Sequence, residues 1–556
     1  MKIVGSYIGA HDVGFSLIED NQIIACYSEE RFSRIKSAYA GGVFPSLSFE
    51  AIQRDFDFDL KDPSVKFAVA KPFTQYKHND ILNILKNRSI KLIGHHYSHA
   101  CGSYYTSGFN DNTLVVSYDG GDIGDDNWTE LNISNYKQYN WFNNLNDNQA
   151  VSYIVKNGKL VEVGERLKHG SIANVWYLMC SIFGLAPLKD EGKIMGLAAQ
   201  GKFDDKIHSL LNFFVKNDMI KATCVIENKF KQILRDLSKE DALDLKRNLA
   251  YNLQYVTENT ILNHIKSLYD KYGPFDNICL AGGVFANVKL NQKINEYLPF
   301  KNMWVYPAMG DEGLSLGSAI AYGVELGEFT NRRIKNVFFG KKHSEIDIQN
   351  DINNFVYKFG KIIVEESLDF DNVANYLVDG KVIGIFDGAT EYGPRALGSR
   401  SIVVEPTRLE THAYINKRLK RDEIMPFAPI IMEEHIDDIC HVYKSKNAAE
   451  FMTLCYTVRE EWASRIPAVI NFHDNTARPQ VVNKDRHSLF HKILSKFNEK
   501  TNIPVLMNTS FNGHGEPIIN SPNDALSHLS EGTIDLLIIN NKIYKLQWKQ
   551  KTIFLM

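Results

Sequence analysis

The sequence lacks most of the features that would send a chain of 556 residues to a membrane, a polyanion or an oxidising compartment. Cysteine is sparse, with seven residues at positions 26, 101, 180, 224, 279, 440 and 455 and no Cys-x-x-Cys pair. An odd, scattered set excludes a disulfide framework and a paired-cysteine zinc knuckle, and fits reduced thiols in a cytoplasmic protein. An excess of either charge is also missing, since 63 Lys+Arg against 66 Asp+Glu leave a net −3. A near-neutral balance removes the long-range attraction of a dedicated polyanion binder, so neither a nucleic-acid polymer nor a membrane is an expected partner. The start, Met1-Lys2-Ile3-Val4-Gly5-Ser6, is too short and polar for the apolar region of a signal peptide. The closest approach to a membrane span, Gly170–Leu188, carries no charge but is interrupted by Asn174, Gly184 and Pro187, and predicts a buried helix over 172–183. Neither a low-complexity tract nor an internal repeat is visible.

What is present is globular. Hydrophobic residues make up 44% and charged residues 23%, which argues against disorder, and the length suits two to four domains with their own cores. Strand-like segments Ile3–Gly9, Phe15–Glu19 and Ile23–Ser28 predict a small antiparallel meander, with Gly9-Ala10-His11-Asp12 placing polar groups at a strand end. Later, Leu114–Tyr118 and Asn277–Ala281 read as strands, the second running into a helix from about Val284, and residues 203–271 read as largely helical. This alternation predicts an α/β fold. A polar stretch over 326–362 predicts a domain boundary near 345–360. Beyond it come a helix through Val373–Leu377, a strand Val382–Phe386, and two final strands, Leu536–Ile539 and Ile543–Leu546.

Gly94-His95-His96-Tyr97-Ser98-His99-Ala100 carries the first chemical signal. On a helix His95 and His99 are one turn apart and share a face, as metal ligands must; His96 with His99 is the alternative pair. Asp119 follows the apolar strand 114–118, at the carboxyl end where α/β sites collect. Asp311 lies in Met309-Gly310-Asp311-Glu312-Gly313, ahead of a small-residue helix. Two imidazoles and two carboxylates suit a borderline divalent ion such as Fe(II), Mn(II) or Zn(II). The second signal is a strand running into Gly282-Gly283 and then Asn287, which offers free backbone N–H groups for a phosphate or an adenosine but lacks the Walker Lys-Ser/Thr. Lys193, between Gly192 and Gly196, is positioned to reach a nucleotide phosphate. The third signal is a concentration of anion-binding residues near the C-terminus: Arg395 and Arg400 among glycines, Lys420-Arg421 before Pro426-Phe427-Ala428-Pro429, Arg478, and a polar hairpin Asn508-Thr509-Ser510-Phe511-Asn512-Gly513. Guanidinium forks among hydroxyls and glycines fit phosphate or acyl-phosphate recognition.

Taken together, His95-His96-x-x-His99-Ala, Glu191-Gly192-Lys193-x-Met195-Gly196-Leu197-Ala198, Gly393-Pro394-Arg395-Ala396-Leu397-Gly398-x-Arg400-Ser401 and Asn508-Thr509-Ser510-Phe511-Asn512-x-x-Gly515-Glu516-Pro517 resemble the O-carbamoyltransferases of the nodulation-factor and tobramycin kind. The likeness runs from Gly9-Ala10-His11-Asp12 and Glu29-Glu30-Arg31-Phe32 to the last strands. It implies an actin-like domain (the ASKHA, duplicated RNase H-like fold, related to the tRNA threonylcarbamoyl transferases) over residues 1–352. A YrdC-like α/β domain would follow over 353–556. In such enzymes the second domain makes carbamoyl adenylate from carbamoyl phosphate and ATP (with Mg), and the first passes the carbamoyl group to an acceptor hydroxyl at a metal site, commonly iron. The resemblance assigns the metal to His95, His99, Asp119 and Asp311, and the adenylate to Lys193, Gly282, Gly283 and Asn287. His11 and Asp12 would lie near the acceptor as catalytic groups. Carbamoyl phosphate and ATP would be held by Arg395, Arg400, Lys420, Arg421, Arg478, Asn508 and Ser510.

Three departures from the family pattern stand out. Lys36 is followed by Ser37-Ala38 where relatives of that kind have His-Asp; Gly388-Ala389-Thr390 replaces a Gly-Arg before Glu391; and Met425 replaces an arginine before Pro426. The resemblance implies a small-molecule hydroxyl as acceptor, on a sugar or natural product or on a nucleotide or nucleoside, and is compatible with a homodimer. The rival readings are a non-catalytic actin-like nucleotide switch and a threonylcarbamoyl-type transferase acting on tRNA.

Overall fold

The computed structural model describes residues 1–548 except 10, 38–44, 72–88, 124–128, 133–146, 169–171, 217–222, 356–359, 366, 422–425 and 445. Ala10, Ala38 and Met425 therefore lie outside the described residues. The chain forms two compact units: Met1–Lys335 with Tyr443–Ala448 and Thr453–Cys455, and Asn336–Val442 with Ala449–Met452 and Tyr456–Met556.

The first unit holds two sheets. Strands β1 (Lys2–Tyr7), β2 (Gly14–Glu19), β3 (Gln22–Ser28), β4 (Lys66–Ala70) and β5 (Ser89–Ile93) lie in the order β3-β2-β1-β4-β5, and β7 (Thr129–Asn132) closes the edge. The first three are antiparallel, while β1 with β4 and β4 with β5 are parallel. The second sheet is built from β6 (Thr113–Ile123), β8 (Asp147–Lys156), β9 (Lys159–Lys168), β10 (Asn277–Ala281) and β11 (Asn302–Val305). Starting from its own first strand it repeats the same plan: β6, β8 and β9 form the antiparallel meander, and β10 and β11 add in parallel on the other side of β6. This duplicated RNase H-like topology is the actin-like architecture, and it is invisible as a sequence repeat because only strand order and hydrogen bonding are repeated. Of the parallel strands, β4 and β10 read as short apolar runs after a polar first residue, as strands covered on both faces do, and β10 is buried at every position.

Helices follow the expected signals with informative shifts. The charge-free stretch gives the helix Ile172–Phe183, and residues 203–271 give Asp205–Lys216, Thr223–Asp236 and Lys239–Tyr272. The helix expected from about Val284 begins at Val288, after a short 3-10 turn, Gly283–Ala286, because the Asn287 side chain caps it by accepting the Leu290 N–H at 3.0 Å. Among the described residues no helix is long and apolar enough to cross a membrane.

Two helices position the site. His95–Ser107 is almost wholly buried and ends at Gly108, whose φ of 71° gives the left-handed C-terminal cap. Leu314–Glu325 packs along it, and the approach is so close that a Cβ at Gly317 would fall 2.1 Å from the Ser98 carbonyl oxygen. Glycine at 317 is what lets the turn carrying Asp311 come down beside the histidines.

The second unit is α/β as well. Its mixed sheet runs β12 (Gly360–Glu365), β22 (Lys542–Trp548), β21 (Leu536–Ile539), β13 (Ile383–Phe386), β14 (Arg400–Val404), β20 (Val505–Ser510), β15 (Ala428–Met432), β19 (Gln480–Val482). A small sheet of β16 (Cys440–His441), β17 (Tyr456–Val458) and β18 (Thr476–Ala477) accompanies it. Residues 508–510, expected in a polar hairpin, instead finish β20, which pairs with β14 and β15.

Candidate metal centre

His95 and His99 open the first two turns of their helix and are buried to 3% and 0% exposure. Their rings lie 4.8 Å apart, centroid to centroid. His95 Nδ1 is 3.0 Å from the Lys71 carbonyl oxygen, and since a carbonyl only accepts, Nδ1 carries a proton and Nε2 is the nitrogen turned toward the aspartates. Asp119 projects from β6, and Asp311 from the turn Asp311–Gly313 that starts the Leu314 helix. One donor atom from each of His95, His99, Asp119 and Asp311 can be chosen so that all lie within 4.8 Å of one another. His96, the alternative partner, turns away and bonds Ser117 Oγ at 2.8 Å.

Asp119 is locked from two sides. Its Oδ1 accepts the Gly120 N–H at 2.5 Å and its Oδ2 the Gly283 N–H at 2.6 Å. The N–H groups of the Gly-Gly turn, expected to be free, are thus both spent: Gly283 on this carboxylate and Gly282 on the Met309 carbonyl at 2.7 Å. Gly282 has φ +99°, and a Cβ there would lie 1.9 Å from the Tyr118 carbonyl oxygen, so only glycine allows β10 to turn against β6 at this point.

Charge explains the rest. Burial alone would raise Asp119 and Asp311, but His99, His95 and the Gly283 N–H hold Asp119 well below the usual carboxylate range, and His95 and His11 lower Asp311. Burial works against His99, yet Asp119 and Asp311 carry it up to about 9. Two carboxylates facing each other in a dry site need positive charge between them, from protons on imidazole or from a dication. The test of fit for a divalent ion is the state of the nitrogens that face the carboxylates: His95 Nε2 and His99 Nε2 are buried with no hydrogen-bond partner, although Asp311 Oδ1 lies 3.6 Å from the first and Asp119 Oδ2 3.2 Å from the second. Such unmade contacts are costly unless a cation occupies them. The residues fit one.

At the rim, His11 Nδ1 lies 2.9 Å from Asp12 Oδ2 and His11 Nε2 lies 3.7 Å from Asp311 Oδ2. Asp12 adopts a left-handed φ of 53°. Burial opposes the His11 charge, but Asp311 and Asp12 lift it to about 10. Two further groups escaped the sequence reading. Tyr7 donates to Asp311 Oδ2 at 2.6 Å, and Glu312, whose Oε1 accepts the Gly310 N–H at 3.2 Å, is pushed up to about 8 by burial and by Asp12. The only signals were their neighbours, Gly9–Asp12 for Tyr7 and Asp311 for Glu312.

The other candidates spread more widely. Asn287 caps its helix and exchanges amide hydrogen bonds with Gln254 at 2.8 and 3.2 Å. Lys193, in the first turn of the helix Glu191–Ala198, pairs with Asp190 at 3.3 Å, and that helix packs on the long helix Lys239–Tyr272. In the second unit, Arg421 gathers the end of β20 by donating to Thr509 Oγ1 at 2.5 Å, the Ser510 carbonyl at 2.9 Å and Asn512 Oδ1 at 2.6 Å. Ser510 Oγ donates to the same Asn512 oxygen at 2.6 Å. Asn508 Nδ2 donates to Ala396 O and Gln480 Oε1, tying β20 to the Arg395 loop. Arg400 is fully buried, donates to the Asp387, Gly388 and Ser399 carbonyls, and stacks 3.6 Å from the Phe386 ring centroid. Lys420 is exposed at the left-handed end of the helix Glu410–Leu419, and Arg478 stands between β18 and β19.

The duplicated topology, with a buried His-x-x-x-His face opposed by two aspartates, defines an α/β protein of actin-like fold with a candidate metal centre. Comparison narrows the class: residues 66–320 match the Carbamoyltransferase N-terminus family and residues 374–545 the Carbamoyltransferase C-terminus family. The chain belongs to the carbamoyltransferase family and is a carbamoyltransferase. An uncharacterized protein of Methanocaldococcus jannaschii is 32% identical over 96% of this chain and 97% of its own. The nodulation protein NolNO of Sinorhizobium fredii is 26% identical over 96% of this chain and 79% of its own. Among solved structures, the (R)-2-hydroxyglutaryl-CoA dehydratase component A of Acidaminococcus fermentans is 13% identical, with a TM-score of 0.34 over 58% of this chain and 97% of that one. The fold assignment rests on strand order and not on that distant likeness.

Proposed function

We propose that the second unit makes carbamoyl adenylate from carbamoyl phosphate and ATP, and that the first transfers the carbamoyl group to a hydroxyl of a small molecule. In the activation step carbamoyl phosphate, ATP and one water give carbamoyl adenylate, pyrophosphate and phosphate. Arg395, Lys420, Arg421, Arg478, Asn508 and Ser510 would hold the phosphates, neutralising charge as pyrophosphate departs, while Arg400 braces the loop beneath. In the transfer step Gly282, Gly283, Asn287 and Lys193 would contact the adenylate, and AMP leaves as the acceptor oxygen bonds to the carbamoyl carbon.

His95, His99, Asp119 and Asp311 would hold a divalent ion, with Fe(II) the first choice and Mn(II) or Zn(II) the others. When bound it would polarise the carbamoyl carbonyl or lower the pKa of the acceptor hydroxyl. The acceptor proton would go to the His11–Asp12 pair, a role worth roughly 10²–10⁴-fold in rate. Asp311 and Asp12 both favour the charged form of His11, and Nε2 is its nitrogen nearest Asp311. The observation that carries the reading is the four-residue cluster, with its unsatisfied imidazole nitrogens, in a chain of this family.

The test is pyrophosphate release from ATP. Release that depends on carbamoyl phosphate, followed by transfer of labelled carbamoyl to a hydroxylated small molecule, is the expected outcome. Stripping the metal with a chelator, then removing the chelator and restoring Mg(II) alone, should stop transfer and leave pyrophosphate release intact. ATP binding without carbamoyl phosphate-dependent pyrophosphate would refute the proposal and favour a nucleotide switch, and label appearing in tRNA would favour the threonylcarbamoyl-type alternative.

A further inference from the structure

Tyr7 is the last residue of β1 and is 2% exposed. Its hydroxyl donates to Asp311 Oδ2 at 2.6 Å, while the other oxygen, Oδ1, faces His95 Nε2 at 3.6 Å and His99 Nε2 at 3.7 Å. A carboxylate on a one-carbon stem turns freely and can offer a cation one oxygen or both. A short, buried bond to one oxygen removes that freedom and leaves the opposite oxygen directed at the histidines. The nearby His11 Nε2, at 3.7 Å from Oδ2, is too far to do this by hydrogen bonding.

The chain makes room for this bond. A Cβ at Gly9 would lie 2.1 Å from both Cζ and the hydroxyl of Tyr7, so any side chain at position 9 drives the phenol out of its place. Gly9 was notable in the sequence only as part of a turn; in the structure it clears the space in which the ring folds back.

We propose that Tyr7 is a positioning residue of the metal centre, its phenol turning Asp311 so that a single oxygen faces the ion, with Gly9 keeping the path of the ring open. This rests on the reading of His95, His99, Asp119 and Asp311 as metal ligands. The bland alternative is packing: Tyr7 touches Ala70 and Leu314 in a small apolar cluster, and its ring meets His95 edge-on at 6.3 Å. Tyr7→Phe separates the two, because it keeps the ring and removes only the oxygen.

The experiment uses the full chain stripped of metal, titrated with Co(II) and with Zn(II) against a competing chelator. Tyr7→Phe should bind both ions 10–100-fold more weakly, the range for loss of a group that orients a ligand. The visible spectrum of the Co(II) form should change as Asp311 changes its mode of binding. Gly9→Ala, which displaces the phenol without touching its chemistry, should weaken binding in the same direction. Wild-type affinity within threefold in both variants, with an unchanged Co(II) spectrum, would overturn the proposal while leaving the metal site standing. A wild-type chain that binds neither ion would overturn both. Thermal unfolding and far-UV circular dichroism of each variant show that the affinity is measured on folded protein; if Tyr7→Phe does not fold, Gly9→Ala decides.

Discussion

Gly282→Ala tests most directly how the fold holds its site. The new methyl would sit 1.9 Å from the Tyr118 carbonyl oxygen and 2.5 Å from its carbon, on a backbone with φ +99°. Both obstacles are main chain, so no rotamer change relieves them. Holding an L-residue in that region costs about 1–3 kcal/mol, and prising apart a packed core typically costs another 1–3 kcal/mol. After the smaller entropy of the unfolded alanine variant is credited, a net loss of about 3 kcal/mol is expected. With a urea slope on the order of 3 kcal/mol/M for a unit of this size, the midpoint should fall by about 1 M. Tyr118 precedes Asp119, and Gly283 donates one of the two hydrogen bonds that fix its carboxylate, so metal affinity should fall as well, by roughly 10–100-fold. Gly192→Ala is the control: nothing lies within 4 Å of a Cβ there, in a helix with ordinary φ. It should leave metal affinity alone and stabilise by about 0.5 kcal/mol. If Gly282→Ala unfolds within about 0.2 M of wild type and keeps its metal affinity, the packing argument is wrong.

Two further outcomes concern the second unit. Arg421→Met leaves the acceptors on Thr509, Ser510 and Asn512 without their shared donor. It should destabilise that unit by about 3 kcal/mol in urea and abolish carbamoyl phosphate-dependent pyrophosphate release; unchanged stability would show that the guanidinium does not organise β20. His487 is pulled down to about 4, first by burial and then by Arg486. Between about pH 6.5 and pH 4 the unfolded chain therefore binds the proton that the folded chain refuses, so stability is full above 6.5 and falls with pH, by about 3 kcal/mol at the lower limit. His487→Gln should flatten that part of the pH profile in urea melts, and an equal slope in both proteins would exclude His487 as its source.

Much of this protein was legible locally. The apolar runs and turn residues of 3–28, the charge-free helix at 172–183 and the strand Asn277–Ala281 follow from interactions spanning a few residues, and the i, i+4 spacing put His95 and His99 on one face before any packing was known. Asp119, at a strand's carboxyl end, and Asp311, ahead of a small-residue helix, were candidates from sequence that the family resemblance also named, and the structure shows how they meet. Asp119 reaches the histidines because β10 pairs parallel to β6 and turns on Gly282. Asp311 does so because Gly317 lets one helix settle on another. Neither contact leaves a local signature, since each depends on a missing side chain meeting a distant backbone.

The duplication was likewise hidden, because hydrogen-bond order repeats where residues do not. In the second unit residue type alone could not separate roles: Arg421 and Arg400 look alike in sequence, yet the half-buried Arg421 gathers the end of β20 through Thr509, Ser510 and Asn512, while the fully buried Arg400 spends its donors on the Asp387, Gly388 and Ser399 residues. Sequence by itself determined which elements form and which chemical groups they carry, because those depend on neighbours along the chain. Tertiary structure decided which groups share a site, which oxygen of Asp311 faces the histidines and which nitrogens are left without partners, because those depend on burial and on contacts between residues far apart in the chain.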